Sequence, residues 1–196
     1  FGMMVTLIRN KYNGTSGTEL KGKTLGLHAF GQVSRNVARI AKGFGMTVMA
    51  LDPFVKDEVL KEAGVEPVHS IEELYSKNQY VSLHIPANDQ TKKSINKTLM
   101  NMMPKNAVLI NAARKEVINE EDLAEVLETR PDFRYIADIK PDNADELTAK
   151  YADRLLFTPK KMGAQTAEAN INAGLAAAKQ VLAFLNDGWN KFQVNK

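Results

Sequence analysis

The chain has 196 residues, 44% of them hydrophobic and 25% charged, which suits one α/β core and is cramped for two full domains. Its net charge of +3 comes from dispersed lysines without interleaved aromatics, so no nucleic-acid partner is expected. The absence of cysteine excludes disulfides and thiolate ligands, and His28, His69 and His84 lack metal-ligand spacing, so no metal site is expected. The longest weakly polar stretch, 171–185, is interrupted by Lys179 and is too short for a membrane span. With no leader-like start, a cytoplasmic enzyme without a membrane partner is the expectation. The abrupt apolar opening at Phe1 suggests a fragment of something longer.

In chain order, residues 2–8 read as a helix, and 10–18, rich in Asn, Gly, Ser and Thr, as the loop handing it to the first strand. Residues 23–30 alternate and then close on apolar side chains, as a strand does. Gly31 opens a helix that places Val33, Val37, Ile40, Ala41 and Phe44 on one face, and 47–51 return as a β-branched strand. A short helix at 56–63 stops at Gly64, and a short strand follows at 66–69. The next helix, 70–75, starts with a capping box of Ser70 and Glu73. Residues 80–85 form a buried-type strand stopped by Pro86.

A helix at 95–102 precedes Pro104, followed by a strand at 107–111, a helix at 119–128, strands at 135–139 and 155–158, and a long helix at 165–185 ending near Gly188. This alternation predicts a Rossmann-like, doubly wound α/β fold: a mostly parallel sheet with helices on both faces. Residues 1–18 would form a connecting helix and loop, 19–170 the nucleotide-binding domain, and 171–196 a C-terminal helix and tail.

The unit from Leu20 to Pro53 carries the parts of a dinucleotide site in order. Backbone N–H groups of Gly31, Gln32 and Val33 would face a pyrophosphate at the positive end of the following helix. Asp52, about twenty residues after the turn, sits where a carboxylate accepts from the adenosine ribose and repels a 2′-phosphate. The glycine motif is imperfect, since Ala29 and Ser34 occupy its outer positions around Gly31. With no basic residue between Asp52 and Lys56, NAD is the expected cofactor.

Downstream strings extend the pattern: LKGKTLG before the loop, VSLHIP at 81–86, AVLINAAR at 107–114 and VINEEDLAEVL at 117–127. Together they resemble the D-isomer specific 2-hydroxy acid dehydrogenases, over most of the chain, and within them the subgroup acting on D-3-phosphoglycerate. The resemblance implies a two-domain enzyme of which this chain holds the nucleotide domain, with most of the substrate domain outside it. It also implies a homodimer formed through the nucleotide domain.

By the same resemblance, Gln32 and Val33 meet the pyrophosphate through main-chain amides, Asp52 meets the ribose, His84, Ile85 and Pro86 border the adenosine, and Phe30, Gly31 and Pro53 belong to the same cofactor-binding surface. Ala112, Ala113 and Arg114 face the nicotinamide side, Asp138 meets the carboxamide, and Lys160 and Gly163 complete the cofactor surroundings. Arg114 and Lys160 would be catalytic. Arg114, at the carboxyl end of a strand, suits a substrate carboxylate bidentately and polarises its C2 oxygen.

Two catalytic positions depart from the family. Its histidine base falls on Lys160 in the string Thr158-Pro159-Lys160-Lys161-Met162-Gly163, and its supporting glutamate falls on Asn143. The changes are compatible, because a lysine base needs no carboxylate partner and a nearby Arg114 favours its neutral amine. Asp142, one residue away, would restore a carboxylate by a register shift and weaken that reasoning. The competing expectations are an NAD(H)-binding scaffold or corepressor-like protein without turnover, and a reductase of glyoxylate or hydroxypyruvate.

Overall fold

A computed structural model of the protein describes residues 1–193. The chain divides into two units, Phe1–Lys160 and Lys161–Lys196. The first contains a seven-stranded sheet of order β3-β2-β1-β4-β5-β6-β7, in which every pairing is parallel. The strands are β1 Thr24–His28, β2 Thr47–Leu51, β3 Glu66–Pro67, β4 Tyr80–Leu83, β5 Val108–Asn111, β6 Arg134–Ala137 and β7 Leu155–Phe157. The expected mostly parallel sheet is thus wholly parallel.

Successive side chains of a strand point to opposite faces, and the core divides accordingly. One face of the sheet, carrying Leu25, Leu27, Val108 and Ile136, packs against helices α1 Gly2–Ile8, α2 Gln32–Gly43 and α3 Asp57–Glu62. The other, carrying Val81, Leu83, Leu109 and Tyr135, packs against α4 Ile71–Lys77, α5 Lys97–Met102, α6 Glu120–Thr129 and α7 Ala144–Tyr151. Both faces being covered explains why the central strands are nearly continuous apolar runs.

Several expectations need correcting. In α2 the residues turned to the core are Ser34, Ala38 and Ala41, while Val33 is 62%, Ile40 39% and Phe44 41% exposed. Of the expected face, Ala41 lies in the core and Val37 packs against it, while small residues let the helix lie so close on the sheet that Val33, Ile40 and Phe44 fall beside the contact. The second and fifth strands end where expected, at Leu51 and Asn111, whereas the others end one or two residues earlier than their apolar pattern, the backbone leaving the sheet at Ala29, His84 and Asp138 to build the loops of the carboxyl edge. β3 has two residues, and Pro67, lacking an N–H, suits that edge position.

Ile95 does not begin α5. It pairs with Ile118 in an isolated parallel bridge, and Asn96 caps the helix by accepting from the Leu99 N–H. Helix α7 was not expected, because Ala144 and Leu147 are its buried residues and such a sparse pattern carries little periodicity. The Ser70 cap of α4 forms as expected, with Oγ accepting from the Glu73 N–H at 3.0 Å.

The second unit contains α8, Ala167–Asp187, capped by Thr166 accepting from the Ala169 N–H and closed by Gly188 at φ 65°. Trp189 and Phe192 meet edge-on, 5.2 Å between ring centres. No helix among the described residues is long and apolar enough to cross a membrane.

Candidate functional site

The residues singled out from the sequence converge on the carboxyl edge of the sheet. His28, Leu51, Leu83, Asn111, Ala137 and Phe157 are in mutual register. The next residue on each strand therefore begins a row of loops: Ala29, Asp52, His84, Ala112, Asp138 and Thr158. From β2 to β7 the row covers five strand spacings, about 24 Å. Backbone bonds hold its start, with the Ala29 N–H donating to Leu51 O at 2.9 Å and the His84 N–H to His28 O at 3.0 Å.

On β1 the chain turns sharply at Ala29, φ 81°, buries the Phe30 ring to 1% exposure, and enters α2 with Gly31, Gln32 and Val33 exposed. Gly31 has φ −78° and ψ −168°, a conformation open to any residue, and a Cβ built there meets nothing within 4 Å. Neither backbone nor packing requires glycine at this position. What glycine provides is an unobstructed approach to the first amides of α2, which is what a pyrophosphate needs. The residues fit a dinucleotide.

Asp52, at the tip of β2, accepts from the Phe30 N–H through Oδ2 at 2.7 Å and from the Phe54 N–H through Oδ1 at 2.9 Å. It fastens the turn after β1 to the turn after β2, and each oxygen keeps a lone pair for a further donor. Pro53 beside it is exposed.

Behind this corner lies a polar cluster of which the sequence reading noted only the two histidines. His28 Nδ1 is 3.3 Å from the buried Tyr75 hydroxyl, and His84 Nε2 is 3.0 Å from Ser82 Oγ. Burial pushes the His28 pKa down to about 4, with Asp52 opposing, and burial together with the neighbouring His28 pushes that of His84 down to about 4. Ile85 is buried and Pro86 exposed. The loop beyond is folded by Thr91, whose Oγ1 donates to Pro86 O at 2.6 Å and accepts from the Asn88 N–H at 2.9 Å.

At β5, the buried Asn111 side chain shapes the turn through Ala112, Ala113 and Arg114: Oδ1 accepts from the Ala113 N–H at 3.0 Å and Nδ2 donates to Arg114 O at 2.9 Å. Arg114 is thereby presented to solvent at the sheet edge. At β6, Asp138 Oδ1 accepts from Thr158 Oγ1 of β7's exit at 3.1 Å. Lys160 is exposed two residues further on, at the end of the first unit, whereas Gly163 lies in a turn of the second.

The positions where the catalytic pattern breaks are also occupied. Asn143 Nδ2 donates to Glu120 O at 3.3 Å, and the Glu120 carboxylate accepts from the Asp142 and Asn143 N–H groups. Asp142 itself pairs with Lys115 at 2.5 Å and holds that ammonium above its ordinary pKa. Its carboxylate is engaged beside a charged cleft of about 550 Å³ that includes Lys93, Lys115, Glu120 and Glu121. Among the described residues no three His, Asp or Glu side chains cluster as metal ligands would.

A parallel sheet whose topological switch, between β1 and β4, carries a tight turn into a helix N-terminus and a carboxylate on the adjoining strand tip defines a dinucleotide-binding domain. Comparison with known proteins narrows this further. The chain belongs to the D-isomer specific 2-hydroxyacid dehydrogenase family as its NAD binding domain, which matches residues 4–160.

The NAD+-bound 3-phosphoglycerate dehydrogenase of Entamoeba histolytica is 40% identical, with a TM-score of 0.88 over 100% of this chain and 62% of that one. D-3-phosphoglycerate dehydrogenase of Methanocaldococcus jannaschii is 34% identical over 84% of this chain and 32% of its own length. The chloroplastic D-3-phosphoglycerate dehydrogenase 2 of Arabidopsis thaliana is 35% identical over 95% of this chain and 30% of its own length. The chain spans about a third of the length of those two relatives.

Proposed function

We propose that this chain is the cofactor domain of an enzyme that oxidises D-3-phosphoglycerate to 3-phosphohydroxypyruvate, with the remainder of the substrate site supplied by a separate substrate domain. The observation that carries the reading is the continuous row from Asp52 to Lys160. It presents a dinucleotide cradle at one end and, across β5 to β7, a guanidinium, a carboxylate and an amine. Relatives named as D-3-phosphoglycerate dehydrogenases support the choice of substrate.

In this reading the amides of Gly31, Gln32 and Val33 hold the pyrophosphate over the Phe30 turn. Asp52, with Pro53 beside it, accepts from the adenosine ribose, and His84, Ile85 and Pro86 border the base. Ala112 and Ala113 flank the nicotinamide, whose carboxamide Asp138 orients while Thr158 fixes the Asp138 rotamer. Bound NAD supplies the hydride acceptor.

Arg114 holds the substrate carboxylate and polarises the C2 oxygen. Lys160 Nζ takes the C2 hydroxyl proton during oxidation and returns it during reduction. Asp142 does not serve Lys160 as a carboxylate partner, since it is paired with Lys115. In the full-length protein, Lys160→Ala should lower kcat on D-3-phosphoglycerate by about 10²–10⁴ while leaving NAD affinity within twofold. Equal rates in the two proteins would remove Lys160 from the mechanism. NAD binding without turnover of any 2-hydroxy or 2-keto acid would favour a scaffold.

We also propose a homodimer formed over α2. Val37, Ile40 and Phe44 follow one another along one side of the helix, and Phe44 stacks on Phe1 at 5.2 Å between ring centres. Ile40 and Phe44 are 39% and 41% exposed, an apolar surface that a second copy would cover.

A further inference from the structure

We propose that Ser34 is a positioning residue for the coenzyme loop, coupled to Ala29, so that the two departures from the glycine pattern form one device. Ala29 adopts φ 81°, the left-handed region that a residue with a Cβ enters reluctantly. Glycine is the ordinary residue at this turn because it enters at no such cost. Something else must hold the alanine there.

The peptide joining Ala29 to Phe30 is gripped at both ends. Its carbonyl accepts from Ser34 Oγ at 2.7 Å, and its N–H donates to Asp52 Oδ2 at 2.7 Å. The Ala29 N–H is tied in turn to Leu51 O at 2.9 Å. Ser34 is fully buried, at 0% exposure, on the face of α2 turned to the sheet, so its hydroxyl acts in a dry setting where a hydrogen bond is strong.

This peptide immediately precedes the exposed amides of residues 31–33, and its plane sets the direction from which the chain enters α2. A serine in place of the third glycine still permits close packing and adds a donor that a glycine lacks. Without that donor, the alanine relaxes toward negative φ, the peptide turns, and the amides lose their common aim. With glycine at 29, the same turn is accessible unaided and the donor becomes dispensable.

The inference rests on this loop being the pyrophosphate cradle. Absence of NAD binding by the unaltered chain would refute that reading itself, independently of Ser34. Given binding, titration of the 196-residue chain by NADH fluorescence, alongside thermal melting, tests the coupling. Ser34→Ala should raise Kd about tenfold, Ala29→Gly should leave it within twofold, and the double variant Ala29→Gly/Ser34→Ala should recover to within about threefold of the unaltered chain.

A purely structural serine would lower the melting temperature without this rescue of affinity. A Kd for Ser34→Ala within twofold of the unaltered chain, or a double variant as weak as Ser34→Ala, overturns the proposal. If Ser34→Ala does not fold, the question moves to the Ala29→Gly background. There, adding Ser34→Gly should change Kd less than twofold, and a tenfold loss overturns the coupling.

Discussion

Acidification should destabilise this protein through two histidines that the fold holds neutral. His28 and His84 sit at neighbouring strand ends, β1 and β4, and their pKa values fall from 6.5 to about 4 on burial. Between those values the unfolded chain binds more protons than the folded one, so stability is full above pH 6.5 and declines as pH falls toward 4. Going from pH 7.5 to 5, the linkage relation gives a loss of about 2 kcal/mol for each ring, about 4 kcal/mol together. Set against a typical domain stability of about 5–15 kcal/mol, that is a large fraction.

Urea denaturation at pH 7.5, 6.5, 5.5 and 5.0 measures the effect. His28→Phe removes one titrating ring and leaves the Tyr75 hydroxyl without that neighbour, a deficit of about 1 kcal/mol that is the same at every pH. The variant should therefore start lower and fall about half as steeply. Stability curves for the two proteins that run parallel between pH 7.5 and 5 would refute the assignment.

Two further outcomes follow from the site and the surface. If Asp52 accepts from the ribose as proposed, Asp52→Ala should narrow the ratio of NAD to NADP affinity in a direct titration, and it should also weaken NAD itself, because the carboxylate fastens the Phe30 and Phe54 amides. An unchanged ratio would place Asp52 away from the ribose. Ile40→Asp, at a side chain already 39% exposed, should cost the monomer little and convert a dimer to monomer in light scattering at about 10 μM, and a persistent dimer would move the interface off α2.

The first β-α-β unit was legible because each of its parts has a local signature: alternation, a glycine before an apolar helix, a β-branched return and an acidic tip. The edges were less so, since Ala29, Ile85 and Ile139 continue the apolar pattern after the backbone has left the sheet. Helix α2 shows the limit of periodicity. Its most hydrophobic stripe was readable, but the stripe that packs on the sheet is made of Ser34, Ala38 and Ala41, where closeness of approach matters more than apolar area.

Most of the site row could be located from strand ends alone. The links between its members could not: Ser34 with Ala29, Asp52 with Phe30, Thr158 with Asp138, and His28 with Tyr75 are contacts created by topology. Asp142 illustrates the same point, for a carboxylate one register step from the expected glutamate position is held by Lys115.

The pairing of β1 with β4 has a consequence for assembly. Two strands and three helices lie between these partners in the chain, so closing this seam costs loop entropy before its hydrogen bonds return anything, and such non-local pairings slow folding. Asp52 and the Gly31 turn lie on one side of the seam, while His84 and Arg114 lie on the other. A ligand spanning them ties the two sides together, and at a hundredfold excess over Kd it adds about 2.7 kcal/mol to the closed form. A coenzyme bound across the seam would then be a component of the finished fold, holding its two halves together.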